Sequence, residues 1–110
     1  MLNLEMEFKK GILIVRLKGV LNGDTALSID DNVTNIVRNN GIKYLLLNLL
    51  GLTYIDQYGL DIIIKNYKII VKHEGKLLIC CQNNFFNYTD ELKDIYQISD
   101  EEVAFELVKL

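Results

Sequence analysis

Two kinds of hydrophobic period take turns along this chain, and that alternation limits its fold more than any single motif. Residues 12–17, Ile-Leu-Ile-Val-Arg-Leu, are rich in β-branched side chains and end at Gly19, which predicts a strand. Behind them Ala26, Ile29, Val33, Ile36 and Val37 recur at helical spacing with polar residues between. The turn Asn22-Gly23-Asp24-Thr25 offers Asp24 as the N-cap of that helix, and Asn39-Asn40-Gly41 stops it. Residues 44–49 form a nearly continuous apolar run, the pattern of a strand covered on both faces. Residues 57–73 return to the helical period, 77–81 read as a strand, 83–92 as a short helix and 95–98 as a short strand. A last helix covers residues 99–110, where Ser99 and Glu102 have capping-box spacing. Weak alternation over residues 4–8, joined to the next strand through Lys9-Lys10-Gly11, predicts an antiparallel edge strand.

The predicted order is β-β-α-β-α-β-α-β-α. Strands alternating with helices imply an α/β domain with a mixed, mostly parallel sheet and about four helices. A length of 110 residues suits one domain and one core, so residues 1–110 are read as a single unit.

Bulk properties exclude several classes of function. Half the residues are hydrophobic and a quarter are charged, the balance of an ordinary globular domain. A formal charge of −3 argues against nucleic acid, because phosphate binding needs a positive field. The longest apolar run, residues 44–50, is interrupted by Asn48 and too short to cross a bilayer, so no direct membrane insertion is expected. The start Met1-Leu2-Asn3-Leu4-Glu5 lacks the basic and apolar regions of a signal peptide, and a cytoplasmic location follows as the expectation. Cys80 and Cys81 are neighbours on a strand and point to opposite faces, which predicts two reduced thiols.

Templates for catalysis fail in turn. His73 is the single histidine, and its place before Glu-Gly-Lys predicts an electrostatic helix cap in solvent. CxxC, HExxH, P-loop and GxGxxG patterns are missing from the sequence, so neither a metal, a cofactor nor an enzyme is expected. Asp30, Asp31, Asp90, Glu91, Asp94, Asp100, Glu101 and Glu102 fall on predicted helix surfaces as solvated charges.

One segment stands apart. Tyr54-Ile55-Asp56-Gln57-Tyr58-Gly59-Leu60 joins a buried strand to the second long helix, where α/β sheets place their binding loops. Asp56 can cap that helix by accepting from the backbone of Tyr58 or Gly59. Gly59, a poor helix former in a first turn, predicts a close backbone approach. At about 100° per residue the core face of the helix centres near Leu60 and Tyr67, with Ile63, Ile64, Ile70 and Val71 beside them. Ile62 and Ile69 then fall opposite, on an outer stripe with Tyr58 and Lys65 that would serve as an interaction surface.

These residues resemble the STAS domain, and most closely the stand-alone bacterial anti-sigma factor antagonists. The resemblance covers residues 12–19, the turn Leu21-Asn22-Gly23-Asp24-Thr25, residues 44–49 and Leu52-Thr53-Tyr54-Ile55-Asp56-Gln57-Tyr58-Gly59-Leu60. The last stretch is similar to the family's phosphorylation loop, which reads Asp-Ser-Ser-Gly-Leu or Asp-Ser-Ala-Gly-Leu. The resemblance implies partner switching: the antagonist binds an anti-sigma factor that is also a serine kinase, and phosphorylation of a loop serine ends the contact. The resemblance together with the outer stripe of the helix places Asn22, Asp24, Asp56, Gln57, Tyr58, Gly59, Ile62, Lys65 and Ile69 in the partner-binding region. Here, however, Tyr58 stands where the family has its serine, Gln57 precedes it, and Asn22 replaces an acidic residue. The implied chain is a binding module, monomeric or weakly dimeric, that the usual serine switch cannot turn off. The alternative on the same fold is a STAS subunit attached to a transporter or a signalling scaffold.

Overall fold

The computed structural model describes residues 1–81 and 95–108. Strand β1 (Leu2–Lys9) pairs antiparallel with β2 (Ile12–Leu21) through the two-residue turn Lys10-Gly11, whose φ values of 53° and 82° are those of a type I′ hairpin. Strands β3 (Tyr44–Ile55), β4 (Lys76–Cys80) and β5 (Tyr96–Ile98) follow in parallel, so the spatial order β1-β2-β3-β4-β5 repeats the order of the chain. Between β2 and β3 run α1 (Gly23–Ile29), a π-helical turn (Asp30–Thr34) and α2 (Asn35–Asn39) without a break; α3 (Gln57–Lys72) links β3 to β4, and α4 (Glu101–Leu107) follows β5. The mixed, mostly parallel α/β sheet expected from the alternation is present. The predicted helix over residues 83–92 lies outside the described residues.

Each sheet face has its own core. On one side Ile29, Val33 and Val37 of the first helical segment and Ile63 and Ile70 of α3 cover Leu13, Val15, Leu45, Leu47 and Leu77. On the other, Ala104 of α4 and Val108 beyond it cover Ile12, Ile14, Leu46, Leu78, Cys80 and Ile98. Leu45, Leu46 and Leu47 are all buried because successive strand residues feed both cores. A buried aliphatic side chain contributes about 1.5–3 kcal/mol, and residues 12–15 of β2 and 77–80 of β4 are buried on both faces in the same way.

Several expectations need correction. The cap of α1 is Asn22, not Asp24: its Oδ1 accepts from Asp24 N at 3.0 Å and Thr25 N at 3.1 Å, while Thr25 Oγ1 accepts from Asn22 N at 2.8 Å. Thr25 at the third helical position completes a capping box with Asn22, which outcompetes a cap one turn position later. The cap of α4 is Asp100, which accepts from Glu102 N and Val103 N, so Ser99 and Glu102 form no capping box. Strand β3 continues past residue 49 to Ile55, because Lys18, Gly19, Val20 and Leu21 of β2 pair with Gly51, Leu52, Tyr54 and Ile55. His73 does end α3, but it is half-buried and its ring Nδ1 donates to the Ile42 carbonyl at 2.9 Å. Both Cys80 and Cys81 are buried, and neither forms a disulfide.

Candidate functional site

The end of β3 delivers the chain to the start of α3 beside the end of β2, and two short contacts fix that corner. Asp56 N donates to Leu21 O at 3.2 Å, and the Asp56 carboxylate caps α3 by accepting from Gly59 N at 3.1 Å. Gly59 is buried against β2; a Cβ there would lie 2.7 Å from Leu21 Cγ, 2.9 Å from Leu21 O and 3.0 Å from Ile55 Cγ1. The close approach expected of this glycine is therefore what lets α3 sit against β2 and β3. Between cap and contact, Gln57 and Tyr58 turn outward. Gln57 Nε2 donates to Asp61 Oδ1 at 2.7 Å, and Tyr58 stays 67% exposed with the backbone of Gly23 facing one side of its ring.

From Tyr58 a shallow groove of about 250 Å³ runs between α1 and α3. Its floor and walls are Gly23, Ala26, Leu27 and Ile62, and its rim carries Asp30, Asp61 and Lys65. Lys65 Nζ donates to Asp30 Oδ1 at 2.8 Å, and this bond holds the Asp30 carboxyl below the usual carboxylate range. The groove thus combines apolar side chains with charged residues.

The structure brings Tyr58, Ile62 and Lys65 together with Gly23 of the preceding turn, while Asn22 and Asp56 serve as helix caps behind that surface. Asp24 is exposed in the first turn of α1. The outer stripe is corrected in part. Ile62 is only 9% exposed and Ile69 is half-buried, because the first helical segment packs against that flank of α3. The buried line of α3 runs through Gly59, Ile63, Asn66 and Ile70, while Val71, placed on the core face by the wheel, is half exposed. Leu27, at 66% exposure, belongs to the groove and was missed; its signal was an apolar residue standing outside the series 26, 29, 33, 36, 37.

A second polar cluster lies on the opposite sheet face. Arg16 Nε and Nη2 donate to Glu101 at 2.7 and 2.8 Å, Nη1 to Glu5 at 2.7 Å, and Nη2 also to Glu7 at 2.9 Å. Asn48 Nδ2 donates to Glu101 at 2.7 Å. The hydrogen bonds from Arg16 hold the Glu101 carboxyl below its usual range, and those to the carboxylates push the Arg16 guanidinium further up. Burial raises the neighbouring Cys80 thiol to about 11, which keeps it protonated and unreactive. The cluster ties β1, β2, β3 and α4 together. Among the described residues no helix is long and apolar enough to cross a membrane.

The STAS domain model matches residues 3–89. An anti-sigma F factor antagonist of Paenibacillus polymyxa is 32% identical over 82 residues, 74% of this chain and 70% of that relative. The crystal structure of an anti-sigma factor antagonist from Mycobacterium paratuberculosis has a TM-score of 0.85 at 17% identity, covering 100% of this chain and 96% of its own. The anti-sigma factor antagonist SpoIIAA in its unphosphorylated form has a TM-score of 0.80 at 14% identity, covering 99% of this chain and 98% of its own. These two structures share the fold.

Proposed function

Because the chain belongs to the STAS domain family, we propose that it is an anti-sigma factor antagonist: a regulator that binds a partner protein with the tip of α3 and lacks the serine through which such antagonists are released. The observation that carries this reading is Tyr58, exposed between the Asp56 cap and the buried Gly59. It projects from a corner held on one side by the Asp56 cap and on the other by the Gly59 contact. Residues 56–60 contain neither serine nor threonine, and Thr53 lies earlier, on β3.

The expected partner is an anti-sigma factor with serine kinase character, met in the cytoplasm. In such a pair a phosphate brings roughly −1.5 to −2 charges to the contact surface, where repulsion and desolvation oppose docking. The tyrosine hydroxyl lies roughly 4 Å further from the backbone than a serine hydroxyl, and a misplacement of about 1 Å can already cost about 10²-fold in rate. A serine-directed kinase therefore fails here, and binding persists. Tyr58 acts as an anchor in place of a switch. The function is binding, with no chemical step assigned to this chain.

The test is incubation with the cognate anti-sigma kinase and ATP, followed by mapping of phosphate by mass spectrometry. Capture of the kinase with residues 56–60 unmodified is the expected result. Phosphate anywhere in residues 56–60, or no complex with the kinase at all, refutes the reading.

A further inference from the structure

We propose that β1 is a dimerisation edge: two copies of the chain join by antiparallel pairing of their β1 strands, with Glu5 opposite Lys9 of the second copy. The backbone supplies the first half of the argument. Val20 N donates to Met1 O at 3.1 Å, and Lys9 faces Ile12 across the two-residue turn. In an antiparallel ladder hydrogen-bonded pairs alternate with non-bonded ones, so the odd residues of β1 turn their N–H and C=O groups toward β2. Those of Leu2, Leu4, Met6 and Phe8 point away from the sheet. Among the described residues no strand pairs with that side. Outer strands are ordinarily blunted by shortness, proline, a bulge or charged side chains, and of these β1 carries only the charges Glu5, Glu7 and Lys9, which are of both signs. The opposite edge, β5, is three residues long. In contrast, β1 runs eight residues, its register with β2 is unbroken, and the chain has no proline.

The side chains indicate which strand fits. Three carboxylates, Glu5, Glu7 and Glu101, share the single guanidinium of Arg16, which leaves negative charge in excess at the middle of β1. Lys9 and Lys10 make the hairpin end positive. Antiparallel self-pairing brings these unlike ends together. About a two-fold axis at Glu7, Glu5 meets Lys9 and Met6 meets Phe8, each pair occurring twice by symmetry. Phe8 is 63% exposed in the single chain, and a thioether beside its ring gives it a partner. An axis at Met6 would instead set Glu5 against Glu7, a like-charge pair that opposes association. The chosen axis leaves one like-charge pair, Glu7 against its own copy, where an axis at Met6 would make two, and its two Glu5–Lys9 pairs offset that one. The axis sits near the hairpin, whereas the α3 tip adjoins Leu21 at the other end of β2, so a dimer presents two free tips.

Sedimentation velocity over a concentration series reads the association directly. The expected result is a monomer–dimer equilibrium that high salt shifts toward monomer, since the Glu5–Lys9 pairs are exposed to screening. Met6→Pro removes an outward N–H and spares the β1–β2 ladder, because an edge strand tolerates proline on its solvent side. It should give a monomer with an unchanged far-UV spectrum. Phe8→Lys, which leaves the backbone intact, should weaken association at least tenfold. Lys9→Glu should do likewise, and adding Glu5→Lys in the same chain should restore the dimer. A chain that stays monomeric at every concentration overturns the proposal, as does a dimer that survives both Met6→Pro and Phe8→Lys. Neither result bears on whether the tip binds an anti-sigma factor.

Discussion

The side-chain amide of Asn66 donates to the hydroxyl of Thr34 at 2.9 Å, with the two residues 1% and 0% exposed, and this bond joins the middle of α3 to the π-helical turn. Asn66 Nδ2 also donates to Ile62 O at 3.0 Å, which fixes the orientation of the amide and leaves Oδ1 buried without a donor among the described residues. A buried acceptor in that state costs about 1–3 kcal/mol, whereas removing both partners of a buried pair can be nearly neutral. Thr34→Val alone should therefore destabilise the domain by about 1 kcal/mol, because it strands part of the Asn66 amide. Combining it with Asn66→Leu should recover most of that loss. Urea midpoints of the two single variants and the double variant close the cycle; a double variant less stable than the sum of the singles contradicts this account.

Gly59 makes a prediction that opposes helix propensity. Alanine is a better helix former than glycine by about 0.8–1 kcal/mol, and Gly59 lies in the first turn of α3. Yet the added methyl would meet the Leu21 carbonyl at 2.9 Å, and backbone there cannot swing aside. Overpacking of this kind costs about 1–3 kcal/mol. Gly59→Ala is expected to lower stability by chemical denaturation, and an increase would mean that the corner is looser than its contacts indicate.

Acid should unlock the two carboxylates that anchor helices. Glu101 is held below its ordinary range chiefly by the Arg16 hydrogen bonds, and Asp30 chiefly by the bond from Lys65. A depressed folded-state pKa means that the unfolded chain binds more protons, so stability rises with pH through that interval. The contribution is complete above the unfolded carboxylate range of about 4–4.5 and disappears as pH falls through the lower folded values. Urea midpoints should thus decline from about pH 5 downward. Glu101→Gln should flatten that decline, and an unchanged slope would remove Glu101 from the explanation.

How much of this could be read from residues alone depends on what each signal competes with. Residues 44–49 were legible as a strand because Leu45, Leu46 and Leu47 feed two cores at once. Its extension to Ile55 was not, since Gly51 and the exposed Thr53 and Tyr54 break the apolar pattern and only pairing with β2 keeps them extended. The π-helical turn was hidden because Ile29, Val33 and Val37 reach the core in either helical register. The wheel of α3 was rotated for a related reason: Gly59 and Asn66 sit on its buried line, where a glycine and an amide carry no hydrophobic weight. Asp56 and Gly59, whose roles follow from local chemistry, fell where their residue types implied. Ile62 did not, because its burial depends on the first helical segment packing alongside.

Restoring a serine at the tip should restore the switch. Tyr58→Ser keeps the Asp56 cap and the Gly59 contact, and it shortens the side chain to the length a serine kinase positions. The cognate kinase should phosphorylate this variant, while the parent chain remains unmodified at residues 56–60. Phosphate at the start of a helix is electrostatically favoured by the exposed N–H groups and the dipole, so modification should leave folding stability unchanged or raise it. Capture of the partner should nevertheless fall, because the phosphate enters a contact surface whose rim already carries Asp30 and Asp61. Binding and thermal melts measured on the same phosphorylated sample separate the two effects. A variant that accepts phosphate and still binds its partner undiminished would show that the tip of α3 lies outside the interface.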